Sequence, residues 1–169
     1  GDCRHPAFVI LNQGYFWRPI VRFVAMVHSG GRYDLQRFVE AQNPVISQVK
    51  QELGSGEKRT DWMWYVFPQV AGLGSSRRAQ RYAISSREEA EAYLEHPILG
   101  PRLRECTEIV NGVEGRSAND IFGSPDDLKF RSSMTLFDAV ADDSTPFRTA
   151  LEQYFDNDPD QKTLEFLSE

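Results

Sequence analysis

The sequence predicts an all-α fold, a compact multihelical single domain with short capped helices. Three observations carry that expectation. Five of the nine prolines follow a residue that can cap a helix: Asn43-Pro44, His96-Pro97, Ser124-Pro125, Thr145-Pro146 and Asp158-Pro159. Proline in the first helical turn costs no hydrogen bond, whereas in a sheet it is confined to edges and bulges. Apolar residues also recur at the three- and four-residue spacing of a helical face from Leu35 onward. Third, there is no strand–helix alternation and no Asn-Gly hairpin between alternating runs.

Residues 1–32 read differently from the rest. Phe8-Val9-Ile10-Leu11, Tyr15-Phe16-Trp17 and Ile20 to Val27 are apolar clusters broken by arginines, Gly14 and Pro19. Such a segment is expected to be a basic apolar extension outside the core fold, leaving residues 33–169 as one helical domain.

In that domain Asp34 is expected to cap a helix whose stripe is Leu35, Phe38 and Val39, and Asn43-Pro44 to restart it through Val49 and Leu53. Thr60 is expected to cap the stretch Asp61-Trp62-Met63-Trp64-Tyr65-Val66-Phe67, read as a short helix stopped at Pro68. Its β-propensity is high, but its neighbours are helical. Ser75 or Ser76 precedes the Arg77 helix, and Ser86 with Glu89 makes a capping box. After His96-Pro97, Leu99, Leu103, Cys106 and Val110 continue one face. A short turn from Ser117 to Gly123 precedes three helices that start at Ser124-Pro125, Thr145-Pro146 and Asp158-Pro159.

With 40% hydrophobic and 26% charged residues in 169, the chain is ordinary for a globular protein. Its net charge of −6 argues against binding a nucleic acid duplex or an anionic membrane over its whole surface. The charge is uneven. Residues 57–104 carry eight basic and six acidic side chains, whereas residues 105–169 carry five and fifteen. A small anion should therefore meet the middle of the chain. Cys3 and Cys106 are far apart, and His5, His28 and His96 stand isolated. No disulfide framework, metal site or cofactor is expected, and a reducing, cytoplasmic location is the default.

Several blocks resemble a bacterial family: Trp62-Met63-Trp64-Tyr65-Val66-Phe67-Pro68-Gln69, Gly72-Leu73-Gly74-Ser75-Ser76, His96-Pro97-Ile98-Leu99-Gly100-Pro101-Arg102-Leu103 and Lys129-Phe130-Arg131-Ser132-Ser133-Met134-Thr135-Leu136-Phe137. It is the domain of unknown function 1810 family, some of whose members carry the automated label "calpastatin". The resemblance spans 33–169 and implies an all-helical single domain, with no established activity. The label gains no support, because calpastatin is a long disordered chain and this one is short and apolar enough to fold.

The candidate ligand-binding residues cluster around the aromatic stretch. Trp62 and Trp64 offer planar surfaces, and two tryptophans so close are not expected to be buried together. The alternative for both is core packing. Gln69 places an amide beside them. Gly72, Gly74, Ser75 and Ser76 lead into Arg77 and Arg78, a loop suited to cradle a phosphate or carboxylate or, more simply, a capped turn with solvated arginines. The catalytic candidates are Lys129 with Ser133, four residues apart on one face, and His96, against which stand solvated and helix-capping roles. Two functions follow. One is the binding or hydrolysis of a small anionic, nucleotide-like ligand. The other is a non-enzymatic helical module that meets an unknown protein partner.

Overall fold

The computed structural model describes residues 32–169; all of the 1–32 extension except Arg32 lies outside them. Leu35–Glu169 form one compact unit. The described residues make ten helices and no strands: α1 (Gln36–Gln42), α2 (Ile46–Gly54), α3 (Met63–Val66), α4 (Arg77–Arg81), α5 (Arg87–Glu95), α6 (Leu99–Asn111), α7 (Ala118–Phe122), α8 (Asp126–Val140), α9 (Thr145–Phe155) and α10 (Gln161–Leu167). No helix among the described residues is long and apolar enough to cross a membrane.

Helix α8 is the central element, packed against α5, α7, α9 and α10. It buries Phe130, Met134, Leu136 and Phe137 together with Ser132, Ser133 and Thr135. Two of those hydroxyls are satisfied locally, since Ser132 donates to the Leu128 carbonyl and Thr135 to that of Arg131. This back-bonding lets a mixed polar and apolar run serve as a buried helix. Phe67 and Phe122 pack on Phe130 of α8's N-terminal half, with the three ring centroids 4.6–6.0 Å apart. Phe38, Tyr93, Phe137 and Phe147 form the other half of the aromatic core.

Several helix starts differ from expectation. Asp34 does not cap α1, where Leu35 holds the N-cap position without a side-chain bond. Asn43 is the C-cap of α1, and α2 begins three residues later at Ile46. Thr60 does not cap α3, which starts after Trp62; its hydroxyl donates to Glu52 instead. Ser76 and Ser86 do cap α4 and α5, each accepting from the amide three residues on. The complete capping box lies elsewhere, at Ser117 and Asp120, because the Glu89 carboxylate turns to Ser85 and Arg37. Asp160, rather than Asp158, caps α10.

Candidate functional site

Placement of the aromatic stretch begins at Glu52 on the buried face of α2, which is 2% exposed. One carboxylate oxygen accepts from the amides of Arg59 (2.8 Å) and Thr60 (3.2 Å) and from the Trp62 indole (2.9 Å). The other accepts from the Thr60 hydroxyl (2.7 Å) and the Gln48 amide group (3.0 Å). Burial pushes the Glu52 carboxyl up, but these hydrogen bonds together outweigh it and hold the pKa at about 2. The carboxylate thus fastens the 59–62 turn to α2 and fixes Trp62.

Trp62 is 1% exposed, so it belongs to the core and not to a ligand wall. Its indole N–H is satisfied inside the protein, which removes the usual cost of burying a tryptophan completely. Met63, Val66 and Phe67 are buried with it. Trp64 and Tyr65 come to the opposite side of the single turn of α3 and are half-buried. The aromatic run therefore divides, with one tryptophan inside and one at the surface.

Two elements converge on Trp64. The Arg78 guanidinium, from α4, lies 5.0 Å from its ring centroid. The Lys129 ammonium, from α8, lies 5.3 Å away. An aromatic face attracts both cations through its quadrupole. Lys129 also approaches Asp126 at 3.6 Å. That carboxylate has a closer partner, the Lys58 ammonium at 2.9 Å, whose side chain is 8% exposed. Lys58 in turn stands 5.1 Å from the Trp62 ring. One carboxylate thus faces two lysines, and Arg78 adds a third cation. Asp127 is turned to the Asn119 amide (3.2 Å) and the Leu128 backbone amide (2.8 Å). Asp61 makes no ion pair among the described residues, and neither do Arg77 and Arg78.

The segment carrying Arg78 is an excursion fastened at its base. Val70 and Ile84 form an isolated parallel bridge, with the Ile84 amide donating to Gln69 (2.8 Å) and the Ala71 amide to Ile84 (2.9 Å). Arg37 closes the far end, donating to the carbonyls of Arg81 (2.8 Å) and Ala83 (2.9 Å) while pairing with Glu89 at 3.1 Å. Tyr82 adds ring contacts to Tyr65 and Phe38. Gly74 is required by close approach, because a Cβ there would lie 2.6 Å from that of Ala79. Gly72 adopts φ +95°, a conformation that favours glycine.

The remaining sequence candidates separate clearly. Ser76 accepts from the Ala79 amide, and the Ser75 carbonyl accepts from Gln80, so the Gly72–Ser76 loop is partly closed on its own turn. Arg77 is exposed and Gln69 half-buried. Lys129 and Ser133 are not hydrogen-bonded to each other in the structure. The Ser133 hydroxyl is buried without a hydrogen-bond partner, while the Lys129 ammonium lies at Trp64 and Asp126. His96 lies in the turn before α6, whose N-cap is Ile98, and its Nδ1 accepts from the amides of Ile98 (3.1 Å) and Leu99 (3.3 Å). Burial, then the charge of Arg102, lowers its pKa. The Nδ1 lone pair is thus committed to two backbone amides. Glu52, Lys58 and Arg37 were not singled out by the sequence, where they have no periodic or motif signal; their partners lie four to 68 residues away.

Among the described residues, no group of three or more His, Cys, Asp or Glu side chains is placed to hold a metal ion. What the fold and site define is a small all-helical domain with a cationic cluster around one half-buried tryptophan. The chain belongs to the family described as protein of unknown function (DUF1810), whose model matches residues 32–167. It is similar to a conserved hypothetical protein, Rv1873 from Mycobacterium tuberculosis, known from a crystal structure. The two are 54% identical, with a TM-score of 0.81, and the match covers 82% of this chain and 99% of that one. No curated protein matches the chain.

Proposed function

We propose that the Trp64 face binds a small anionic ligand. The observation that carries this reading is the convergence of Arg78 and Lys129 on one half-buried indole, with a single carboxylate shared between Lys129 and Lys58. Two like charges near one ring repel each other, and an anion between or above them relieves that repulsion. The indole acts here as a platform that orders the cations. A nucleotide base stacking on Trp64 would compete with them for the ring, so the cluster reads charge before it reads shape.

Hydrolysis gains no support from Ser133, which is sealed from solvent, or from His96, whose Nδ1 is taken. The interaction-module alternative places a protein partner on the acidic C-terminal third or on the 1–32 segment; it gains from Trp64 and Gln69 being sealed in the core, and both are half-buried. A cytoplasmic location remains part of the proposal, supported by the free, buried thiol of Cys106, which burial pushes up to about 12. Subcellular fractionation checks it, and recovery from an oxidising compartment would count against it.

The binding proposal is tested by thermal unfolding against nucleotides, sugar phosphates and di- and tricarboxylates at low ionic strength. A ligand at a hundred times its Kd stabilises by about 2.7 kcal/mol, a shift of roughly 5–10 °C for a domain of this size. At least one compound should give such a shift, and Arg78→Ala should remove most of it. Arg78 is exposed, so its loss leaves the core intact. If no compound stabilises the protein, or the variant responds as wild type does, the site is not an anion site.

A further inference from the structure

We propose that residues 72–80 form a lid over Trp64, which opens about a fixed base and is latched shut by Arg78. The proposal concerns a motion of the chain itself and stands whether or not the Trp64 face binds an anion. Val70 and Ile84 pair as a bridge, so the chain leaves the domain and returns to it at one place. A loop whose ends meet and whose side chains pack on itself is a unit that opens while the rest of the domain stays folded. The base is firm. Val70 and Ile84 are both buried, the Ile84 amide donates to Gln69 and the Ala71 amide to Ile84, and Arg37 holds the carbonyls of Arg81 and Ala83.

The lid itself is attached differently. Helix α4 buries none of its five residues. From Ala71 to Arg81 only Leu73 and Ala79 are half-buried, and Ala79 lies against Gly74 within the same segment. Its hydrogen bonds also close on themselves. The Ala79 amide donates to the Ser76 hydroxyl, the Gln80 amide to the Ser76 carbonyl, the Gln80 side chain to the Ser75 carbonyl and the Tyr82 amide to the Arg78 carbonyl. Among the described residues, one hydrogen bond, ion pair or ring contact runs from residues 72–80 to anything outside the excursion. It is the Arg78 guanidinium over the Trp64 ring, at 5.0 Å. A helix of five residues does not stand alone in water, where even good helix formers need about 12 residues or more. Helix α4 therefore keeps its form while its ends are held and Arg78 rests on the indole. When that contact releases, α4 melts about Gly72, which has φ +95° and open space around it, and the Trp64 ring comes into water.

The test is amide hydrogen exchange, followed by NMR on the full chain without ligand over a series of low urea concentrations. Gln80 and Tyr82, bonded to the carbonyls of Ser76 and Arg78, report the lid; Ala71 and Ile84 report the base. Protection of the lid amides should be at least about a hundredfold lower than that of the base amides. It should also be insensitive to urea, because the opening exposes little surface. Arg78→Ala is the telling variant: alanine forms helix at least as well as arginine, so lost propensity cannot loosen α4. Loss of an exposed cation–π contact should speed exchange of Gln80 and Tyr82 about two- to fivefold and leave Ala71 and Ile84 unchanged. Trp64→Leu, which removes the ring face, should do the same, and the double variant should exchange no faster than either single one. Lid amides as protected as those of the base would overturn the lid. Fast lid exchange that Arg78→Ala leaves unaltered, or that the two substitutions raise additively, would overturn the latch. Neither result bears on the anion reading, which stands or falls on ligand-induced stabilisation.

Discussion

Replacing Glu52 by glutamine is expected to destabilise the domain by about 3 kcal/mol near neutral pH. The carboxylate is held at about 2 against an ordinary 4.5 by donors on both of its oxygens. Glutamine keeps the shape but turns one of those acceptors into an NH2 group that faces N–H or O–H donors, leaving buried polar groups unpaired. In a domain of this size the loss corresponds to a fall in Tm of roughly 6–12 °C. The sign with pH is fixed. A carboxyl whose folded pKa is depressed contributes its full stability above the unfolded value of 4.5, and loses that contribution as pH falls from 4.5 towards 2. Urea unfolding of wild type and Glu52→Gln at pH 7, 4.5 and 3.5 should therefore show a gap that narrows downward. An equal gap at all three values would mean that Glu52 acts by shape rather than by charge.

Replacing Arg37 by alanine is the second large effect, expected at about 3–5 kcal/mol because it leaves a buried carboxylate without its cation. Glu89 is 3% exposed and would retain only its bonds to Ser85. The carbonyls of Arg81 and Ala83 would lose their donor at the same moment, freeing the end of the excursion that carries Arg78. Arg37→Lys should recover only part of the loss, since an ammonium cannot span two carbonyls and a carboxylate as the planar fork does. The double variant Arg37→Ala with Glu89→Gln should be less destabilised than the two single losses added together, the mark of coupled partners. Simple additivity in urea midpoints would show that the pair is not a unit.

Much of the helical plan is legible in the sequence, because caps and apolar spacing act within one or two turns. Ser76, Ser86 and His96 each do at a helix start what their residue type allows. Thr60 misleads for a tertiary reason: its hydroxyl is taken by Glu52, eight residues back and on another helix. Asp158 misleads likewise, its carboxylate being paired with Arg131 while Asp160 caps α10. The cluster was legible only as separate parts. Trp64 stood out by aromatic density, Arg78 by its place after a glycine-serine loop, and Lys129 through a supposed serine partner. That Trp62 goes inward depends on a buried carboxylate ten residues earlier. That Lys129 meets Trp64 depends on the packing of α8, 65 residues further along the chain. Neither distance leaves a periodic trace.

The central claim is the division of labour between the two tryptophans, Trp62 as the buried anchor and Trp64 as the ligand-facing platform. Its most direct test follows the indole N–H resonances in a 15N-labelled sample, assigned with Trp62→Phe and Trp64→Phe, during a titration with the anion that most raises its Tm. The Trp64 signal should move and saturate with that anion, while the Trp62 signal, locked to Glu52, should stay in place. A Trp62 signal that moves with Trp64, or a Trp64 signal that does not respond while the anion binds, would contradict the account.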